Sequence, residues 1–339
     1  MKKALSLLAT SILLIPIGCS QKKKRDITKG FSIEILDKEA QGIINQNTKI
    51  EILGEGFDWT EGPLWIEEGH YLLFSDIPKN KIYKIDTKGN TSEYLSPSGY
   101  TGEMSRGGES GSNGLLLNKK GQLVLLQHGD RRVALMESPL DIPAPRFKTL
   151  IDNYMGDRFN SPNDGVYDFN GNLYFTDPPY GLPKQVKDPS KELDFQGVYC
   201  LKNDGEILLL DSLTRPNGIT LSPDQTQLYV AVSDNQHAVW YQYDIVVPGK
   251  VANKRVFHDA TKLVGKAGYR GLPDGMKMHS KGYLFATGPG GVWIFNKNAK
   301  PIARIRTGQA TSNCAFSQDE KQLFMTADDY ILKIALETP

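Results

Sequence analysis

Six short motifs in the chain pair an oxygen-bearing side chain with a following small residue and an apolar run. They read "EGPLW", "SNGLLLN", "NDGVYDF", "PNGITLS", "PDGMKMH" and "SNCAFSQ", and only the last has cysteine in place of glycine. The oxygen-bearing residues directly before the small residue are Glu61, Asn113, Asp164, Asn217, Asp274 and Asn313, and Asn163 stands one place earlier in the third motif. Carboxylate and amide oxygens are the ligands of hard cations, and Ca²⁺ takes about six to eight of them in irregular geometry. If the fold brings these residues together, they predict a calcium site.

Each motif taken alone has a simpler explanation, because Asn-Gly and Asp-Gly are the commonest pairs in tight turns. Glu61 does not fit that explanation, since Glu-Gly-Pro is not a favoured turn sequence. Two acids and several amides in one channel would also repel or stay unsatisfied without a positive charge among them. Zinc is disfavoured because the five histidines show no ligand spacing. Calcium is therefore the predicted cofactor, and another divalent cation remains open.

The spacing of the motifs indicates the fold that would position them. The small residues recur at intervals of 52, 51, 53, 57 and 39 residues, at Gly62, Gly114, Gly165, Gly218, Gly275 and Cys314. Strand-like runs such as "HYLLFSD" and "GNLYFTD" follow them. Repeats of roughly 40–50 residues with several strands are typical of propeller blades. We predict an all-β, six-bladed β-propeller over residues 49–339, with the six oxygen-bearing positions side by side around its central channel.

The two ends of the chain support a closed ring. Only 25 residues follow Cys314, which is enough for about three strands, while "KIEILG" (49–54) is a spare strand before the first motif. An N-terminal strand that completes the last blade would remove two exposed sheet edges. We therefore expect the last blade to be closed by this strand.

The first residues, "MKKALSLLATSILLIPIGCS", combine a basic start with a short apolar stretch, as in a secretory signal. We expect residues 1–18 to be a signal peptide of the lipoprotein type, with Cys19 lipidated and residues 19–48 forming a tether and N-terminal segment. Pro16 departs from the lipoprotein pattern, so a simple cleaved signal is the alternative. The expected location is the bacterial periplasm or cell envelope, with membrane contact only through the lipid anchor.

Composition limits the partners. Formal net charge is +1 with acids and bases mixed along the chain, which gives no basis for nucleic-acid binding. We expect a monomer that acts on a small molecule. Besides Cys19, only Cys200 and Cys314 are present, so one disulfide is possible and their pairing stays open.

Longer stretches around the motifs resemble a known family. In chain order, across about residues 50–337, they are "TEGPLW", "SNGLLLNKKGQLVLLQHGDRRV", "NSPNDGVYDFNGNLYFTDPPYGL", "RPNGITLSPDQTQLYVA", "LPDGMKMHSKGYLFATGPGGVWIF" and "TSNCAFSQDEKQLFMTA". The ordered set resembles the gluconolactonase and regucalcin-like six-bladed propellers, which include senescence marker protein and luciferin-regenerating enzyme. That family is related to the diisopropylfluorophosphatase-type hydrolases.

The resemblance implies both a ligand set and a reaction. Carried over motif by motif, the calcium ligands are Glu61, Asn163, Asn217 and Asp274, which places Asn163 rather than Asp164 on the metal. The implied reaction is calcium-dependent hydrolysis of a lactone or ester, such as a sugar lactone. Calcium would polarise the substrate carbonyl for attack by water and stabilise the oxyanion that develops.

A general base must take a proton from the attacking water. Asp274 is the first candidate, as a ligand whose second oxygen could be free. His128, in "LQHGDRR", is the second candidate, although a structural histidine satisfied by backbone groups is an equally good explanation.

Substrate contacts are expected from residues at the channel mouth and from long loops on the same face. Asn113 lies at the mouth by register, unless it is a plain Asn-Gly turn. The loops are residues 98–114 and 152–164, and Asn160 in the second is a predicted substrate contact. Tyr180, in "TDPPYGLPK", is predicted to form part of a lid, with a packed aromatic in a rigid turn as the alternative.

Two further functions fit the same fold. One is a non-catalytic propeller that binds a sugar, peptide or protein partner and uses calcium for stability. The other is a phosphotriesterase-type hydrolase with the same ion. Fold alone does not choose among them, because propellers carry many functions. Donor residues at an open channel mouth beside long loops favour catalysis.

Overall fold

The computed structural model describes residues 30–104 and 106–337. The predicted signal peptide and the lipidation site at Cys19 lie outside these residues. Within them the chain is almost entirely strand and turn, as its short β-branched and aromatic runs between Gly, Asn and Asp predict. No helix in this part of the chain is long and apolar enough to cross a membrane.

The strands form six blades around one axis. Two strands precede the first blade: β1 (Phe31–Ile35) and β2 (Glu51–Glu55). Blade 1 consists of β3 (Thr60–Ile66), β4 (Tyr71–Asp76), β5 (Lys81–Asp86) and β6 (Thr91–Leu95). Blade 2 consists of β7 (Ser112–Leu117), β8 (Leu123–Gln127), β9 (Arg132–Met136) and β10 (Phe147–Ile151). A small hairpin follows, formed by β11 (Asn153–Tyr154) and β12 (Asp157–Arg158).

The remaining blades repeat the four-stranded antiparallel pattern. Blade 3 consists of β13 (Gly165–Tyr167), β14 (Leu173–Asp177), β15 (Gly197–Leu201) and β16 (Ile207–Ser212). Blade 4 consists of β17 (Pro216–Leu221), β18 (Gln227–Asp234), β19 (His237–Val247) and β20 (Lys250–Asp259). Blade 5 contains β21 (Met276–Met278), β22 (Leu284–Gly288), β23 (Gly291–Phe295) and β24 (Pro301–Thr307). Blade 6 contains β25 (Thr311–Phe316), β26 (Gln322–Ala327) and β27 (Tyr330–Ala335).

The ring closes through the N-terminal strand β2, which supplies the fourth strand of blade 6. It pairs antiparallel with β27, from Glu51 opposite Lys333 to Glu55 opposite Tyr330. The predicted six-bladed propeller with a last blade closed from the N-terminus is therefore confirmed. The strand begins at Glu51, two residues later than the predicted segment.

The segment before residue 49, described above as a tether and N-terminal segment, contributes structure of its own. Strand β1 pairs with β24 and gives blade 5 a fifth strand. A short 3₁₀ helix, Lys38–Gly42, follows, and Ile43 and Ile44 are buried with side chains of blades 5 and 6. A single added strand has no repeat to reveal it, so the sequence pattern did not indicate it.

The hydrophobic core is divided among the blade interfaces. Six clusters of buried side chains each join two neighbouring blades. At the closing interface, Leu72 and Phe74 of blade 1 pack with Phe324 and Ile331 of blade 6. Full burial of such a side chain contributes about 1.5–3 kcal/mol, so this interface holds the ends of the ring together.

The two cysteines of the propeller are free thiols. Cys200 is buried between blades 3 and 4, and Cys314 between blades 5 and 6, so they do not form a disulfide. Burial raises the pKa of both thiols to about 12. They behave as small apolar core residues.

Candidate active site at the mouth of the channel

The oxygen-bearing motifs lie in or directly before the innermost strands, not in hairpin turns. Glu61 lies in β3, Asn113 in β7 and Asn217 in β17, while Asn163 and Asp274 come just before β13 and β21. The strand register shifts across the motif in each of blades 1, 2 and 4. Such bulges redirect a side chain out of the regular alternation. The Asn-Gly and Glu-Gly pairs therefore lie at bulges in the strands, which turn the oxygen-bearing side chains toward the channel.

In blades 1, 2, 4 and 5, the glycine that follows the oxygen-bearing residue allows the next blade to approach closely. A Cβ at Gly62 would lie 2.0 Å from the carbonyl oxygen of Asn113, and one at Gly218 would lie 2.2 Å from that of Asp274. Gly62 also has a φ of +52°, which disfavours other residues. The repeated glycine thus allows the oxygen-bearing residues of neighbouring blades to lie side by side, as the predicted ring requires.

Hydroxyl groups on the second strands of the blades hold the backbone of these oxygen-bearing residues in place. Ser75 Oγ on β4 donates a hydrogen bond to the Asn113 carbonyl at 2.9 Å. Thr176 Oγ1 on β14 donates to the Asn217 carbonyl at 2.6 Å. Both bonds are buried and run from one blade to the next. Blades 1 and 3 thus help to position the oxygen-bearing residue of the blade that follows.

We expect Gly218→Ala to reduce turnover about 10²-fold, because the added Cβ must push back the Asp274 backbone, and a misplacement of about 1 Å costs that much in a catalytic site. Gly42→Ala is the matched control, since a Cβ there meets no atom within 4 Å. Steady-state kinetics and melting curves of the two variants check this expectation. Equal turnover in the two variants would show that the close approach at Gly218 does not position the site.

A cavity of about 240 Å³ opens at the channel mouth beside these donors. It contains all four predicted calcium ligands together with Asn113 and Tyr180. Its lining residues are Trp59, Glu61, Glu109, Asn113, Asn163, Tyr180, Arg215, Asn217, Ser233, Gly271, Leu272, Asp274, Ala310 and Thr311.

The cavity has an excess of negative charge. Three carboxylates line it, from Glu61, Glu109 and Asp274, against one guanidinium, from Arg215. Burial raises the pKa of Glu61 to about 8; the Gly62 N–H, 3.0 Å from Oε2, opposes this, while Asp164 adds to it. Deprotonating Glu61 here is therefore unfavourable without a positive charge beside it.

Asp274 shows the same imbalance. Burial raises the pKa of this carboxyl well above its ordinary range, and the charges of Glu61 and Asp164 raise it further. Its Oδ1 is buried without a hydrogen-bond partner, and so is Oδ1 of Asn113. Buried polar atoms are normally hydrogen-bonded, so two unpartnered oxygens in one cavity indicate a missing positive or hydrogen-bearing ligand.

These observations fit a hard divalent cation. The four predicted ligand residues offer only oxygen atoms for binding, from two carboxylates and two amides. Unpartnered oxygens lie in the same cavity, where acidic side chains outnumber basic ones. Across the described residues, no group of three or more His, Cys, Asp or Glu side chains is placed to hold a metal ion. Glu61, Asn163, Asn217 and Asp274 are the residues that would hold the ion.

His128 lies behind the cavity rather than in its lining. It is buried, with Nε2 3.4 Å from Nδ2 of Asn163 and Nδ1 3.0 Å from Oε2 of Glu109. The histidine therefore contacts one predicted ligand and one cavity carboxylate. In this position it can orient both side chains, and its role as a general base stays a prediction.

Asn160 does not line the cavity either. Its Nδ2 donates to Asp177 Oδ2 at 3.0 Å and to the Phe195 carbonyl at 2.9 Å, and its backbone N–H donates to the same carboxylate. These bonds tie the loop to β14 and hold the amide in the protein interior. Its loop position suggested a substrate contact, whereas the buried Asp177 draws the side chain inward.

Tyr180 lines the cavity, while its predicted role in a lid stays a prediction. Burial raises the pKa of its phenol, and the negative charge of Asp274 raises it further, so the hydroxyl stays protonated at neutral pH. The guanidinium of Arg215 lies 5.8 Å from the ring centroid. A protonated phenol in a carboxylate-rich cavity is a hydrogen-bond donor for a substrate oxygen.

Eight cavity residues were not singled out from the sequence, among them Trp59, Glu109, Arg215 and Ser233. Trp59 and Arg215 stand close before the "EGP" and "PNG" motifs, which is a signal that could have been used. Glu109 belongs to the long 98–114 loop, where Arg106 donates to the Gly129 and Gly181 carbonyls and fastens the loop over the site. Nothing in the local sequence distinguishes Ser233.

The chain is a six-bladed propeller of the SMP-30/gluconolactonase/LRE-like family, whose region matches residues 59–329. It is 36% identical over 330 residues to a gluconolactonase of Zymomonas mobilis, covering 95% of this chain and 91% of that one. A solved gluconolactonase from Xanthomonas campestris superposes with a TM-score of 0.76 at 26% identity, covering 90% and 94% of the two chains.

A calcium-binding regucalcin from Agrobacterium tumefaciens shares the fold, with a TM-score of 0.64 at 16% identity and coverage of 86% and 96%. The predicted family is therefore confirmed.

Proposed function

We propose that the protein is a calcium-dependent hydrolase of a lactone or ester, with a sugar lactone as the best-supported substrate class. The buried, unpartnered Oδ1 of Asp274, in a cavity with three carboxylates and one guanidinium, carries this proposal. Membership of a gluconolactonase family and similarity to two gluconolactonases support the reaction class. The calcium-binding regucalcin with the same fold supports the ion.

The residues of the site have separable roles. Glu61, Asn163, Asn217 and Asp274 would hold the cation, and the first and last would balance its charge. A bound divalent cation would polarise a carbonyl oxygen and stabilise the negative charge that develops on it. Asp274, as a ligand whose second oxygen would stay free of the ion, accepts the proton of the attacking water.

The rest of the cavity binds and orients the substrate. Oδ1 of Asn113 has no partner and accepts a hydrogen bond from a substrate hydroxyl. The protonated phenol of Tyr180 and the guanidinium of Arg215 donate to substrate oxygens. A polyhydroxylated lactone ring supplies both kinds of group, which an apolar ester does not. Position and orientation of this kind contribute several kcal/mol to catalysis.

The test is a hydrolysis assay on a panel of sugar lactones, aryl esters and phosphotriesters, together with elemental analysis of the purified protein. We expect calcium in the protein, turnover of sugar lactones above the other classes, loss of turnover with chelator and recovery on adding calcium. Recovery with magnesium should be weaker, because Mg²⁺ requires stricter octahedral geometry than this mixed donor set provides.

Each other outcome points to a different function. Bound calcium that raises the melting temperature without any turnover supports a non-catalytic binding propeller. Preferred turnover of phosphotriesters supports the second hydrolase type. Full turnover of calcium-free protein would overturn the proposed role of the ion.

A further inference from the structure

A second cavity of about 310 Å³ lies on the same face, next to the channel cavity. Its lining residues are Gly30, Gly268, Arg270, Gly290, Arg306, Gly308 and Gln309. Consecutive residues line the two cavities at two places in the chain. Arg270 and Gln309 line the second cavity, and the residues that follow them, Gly271 and Ala310, line the channel cavity. We call this second space the arginine cavity.

Three guanidinium groups gather at the arginine cavity against two nearby carboxylates. Glu34 of β1 accepts hydrogen bonds from both Arg304 and Arg306. Arg270 is exposed, donates to the neutral Gln309 at 2.7 Å and interacts with the charge of Asp328. The five charged groups therefore leave an excess of one positive charge, in contrast to the channel cavity beside it, where acidic side chains outnumber basic ones.

Arg304 provides the observation that points to a ligand. It is only 5% exposed and is held between the rings of Tyr269 and Trp293, at 4.7 and 4.6 Å from their centroids. Its Nη1 is buried without a hydrogen-bond partner and lies 3.6 Å from where a Cβ of Gly290 would be. Since Gly290 lines the cavity, this unpartnered donor lies directly behind the cavity wall. Guanidinium groups pair most strongly with carboxylates and phosphates.

We propose that the arginine cavity binds the negative group, carboxylate or phosphate, of an acidic sugar lactone whose ring is hydrolysed in the channel cavity. This inference rests on the proposed function and narrows its substrate class. The glycines of the wall leave the cavity open to such a group, and Arg270 at its rim makes the first contact. The opposite charges of the two cavities then fix the direction in which the substrate binds.

The kinetic test compares D-glucono-1,4-lactone with D-glucaro-1,4-lactone, which differ only in an alcohol or a carboxylate at the sixth carbon. We expect the wild-type kcat/KM to favour the acidic lactone about tenfold, as removal of one charge-assisted contact suggests. Arg270→Gln should lower that preference about tenfold. Arg255→Gln, an exposed arginine of blade 4 paired with Asp244, is the control that should keep the preference.

The binding test uses inorganic phosphate and does not depend on turnover. We expect phosphate to bind wild-type protein in calorimetry, and Arg270→Gln to weaken that binding about tenfold while Arg255→Gln leaves it unchanged. Phosphate binding should strengthen at low salt. Equal phosphate affinity in wild type and Arg270→Gln would overturn the anion site itself.

The remaining outcomes separate this inference from the proposed function. Lactone turnover without any preference for the acidic lactone leaves the hydrolase in place and overturns the substrate inference. Absence of all lactone turnover overturns both the function and the substrate inference, even where phosphate binding still depends on Arg270. Arg270-dependent binding to anionic lipid vesicles, with no binding of phosphate or the acidic lactone, would identify a lipid headgroup and overturn the substrate inference.

Discussion

Asp274→Asn lowers kcat/KM for lactone hydrolysis by at least about 10³-fold, while the propeller stays folded. The substitution keeps the shape of the side chain but removes one of the two carboxylates that would hold the cation. It would also remove the proposed base for the water proton. Loss of a cation's charge stabilisation or of a general base each costs about 10²–10⁴-fold, and here one substitution removes both.

The same variant should be more stable than the wild type when both are free of cation. Burial raises the pKa of both carboxyls, and the charge of Glu61 raises that of Asp274 further. Folding of the cation-free wild type at neutral pH therefore requires carboxyls that are ionised in the unfolded chain to take up protons. An amide at position 274 needs no such proton uptake. A higher melting temperature combined with lost turnover distinguishes a functional carboxylate from a structural one.

Asp164→Asn is the matched control, because it makes the same chemical change at an oxygen-bearing residue of another blade. Asp164 is buried but does not line the cavity, and both its oxygens already accept hydrogen bonds, from the Gly165 N–H at 2.8 Å and Asn313 Nδ2 at 3.3 Å. We expect its turnover to fall less than tenfold. Wild-type kinetics in Asp274→Asn, or equal losses in the two variants, would remove Asp274 from its assigned role.

The fold was predictable because a propeller repeats its own pattern. Six copies of a donor, a small residue and an apolar run gave the number of blades, and the uneven chain ends gave the closure by β2. Strand β1 was not predictable on the same grounds, since it adds to the outer edge of one blade only. Its place depends on Glu34 meeting Arg304 and Arg306, which are about 270 residues away in the chain.

The site was predictable where the repeat itself carries the chemistry. Glu61, Asn163, Asn217 and Asp274 line one cavity. The repeat places Glu61, Asn217 and Asp274 in or just before an innermost strand, whereas the choice of Asn163 over its neighbour Asp164 came from the family resemblance. The substrate contact of Asn160 stays a prediction, and its hydrogen bonds to Asp177 of β14 could not be predicted from the local sequence. Glu109 lies in the long 98–114 loop, and the arginine cavity combines Arg306 of β24 with residues of several turns, so the repeat pattern indicates neither of them.

Chelation should abolish turnover and also lower the melting temperature, and the loss of stability should grow between pH 5 and pH 8. In the cation-free protein the pKa of Glu61 is about 8, against an ordinary value of 4.5. Between these values the folded state keeps a proton that the unfolded chain has released. The stabilisation is therefore complete below pH 4.5 and is lost as pH rises through 8, at a cost of at most on the order of 5 kcal/mol.

Comparison of calcium-loaded with calcium-free protein isolates this effect. Asp177, whose pKa burial raises to about 7, also lowers stability with rising pH, but it does so in both forms and cancels in the difference. Glu61→Gln is the control variant, because it removes the proton that competes with the cation. We expect calcium to raise the wild-type melting temperature more at pH 8 than at pH 5, and to have little effect at either pH in Glu61→Gln. A calcium effect of the same size at both pH values would show that Glu61 is not a ligand, since binding to a protonated carboxyl must release its proton.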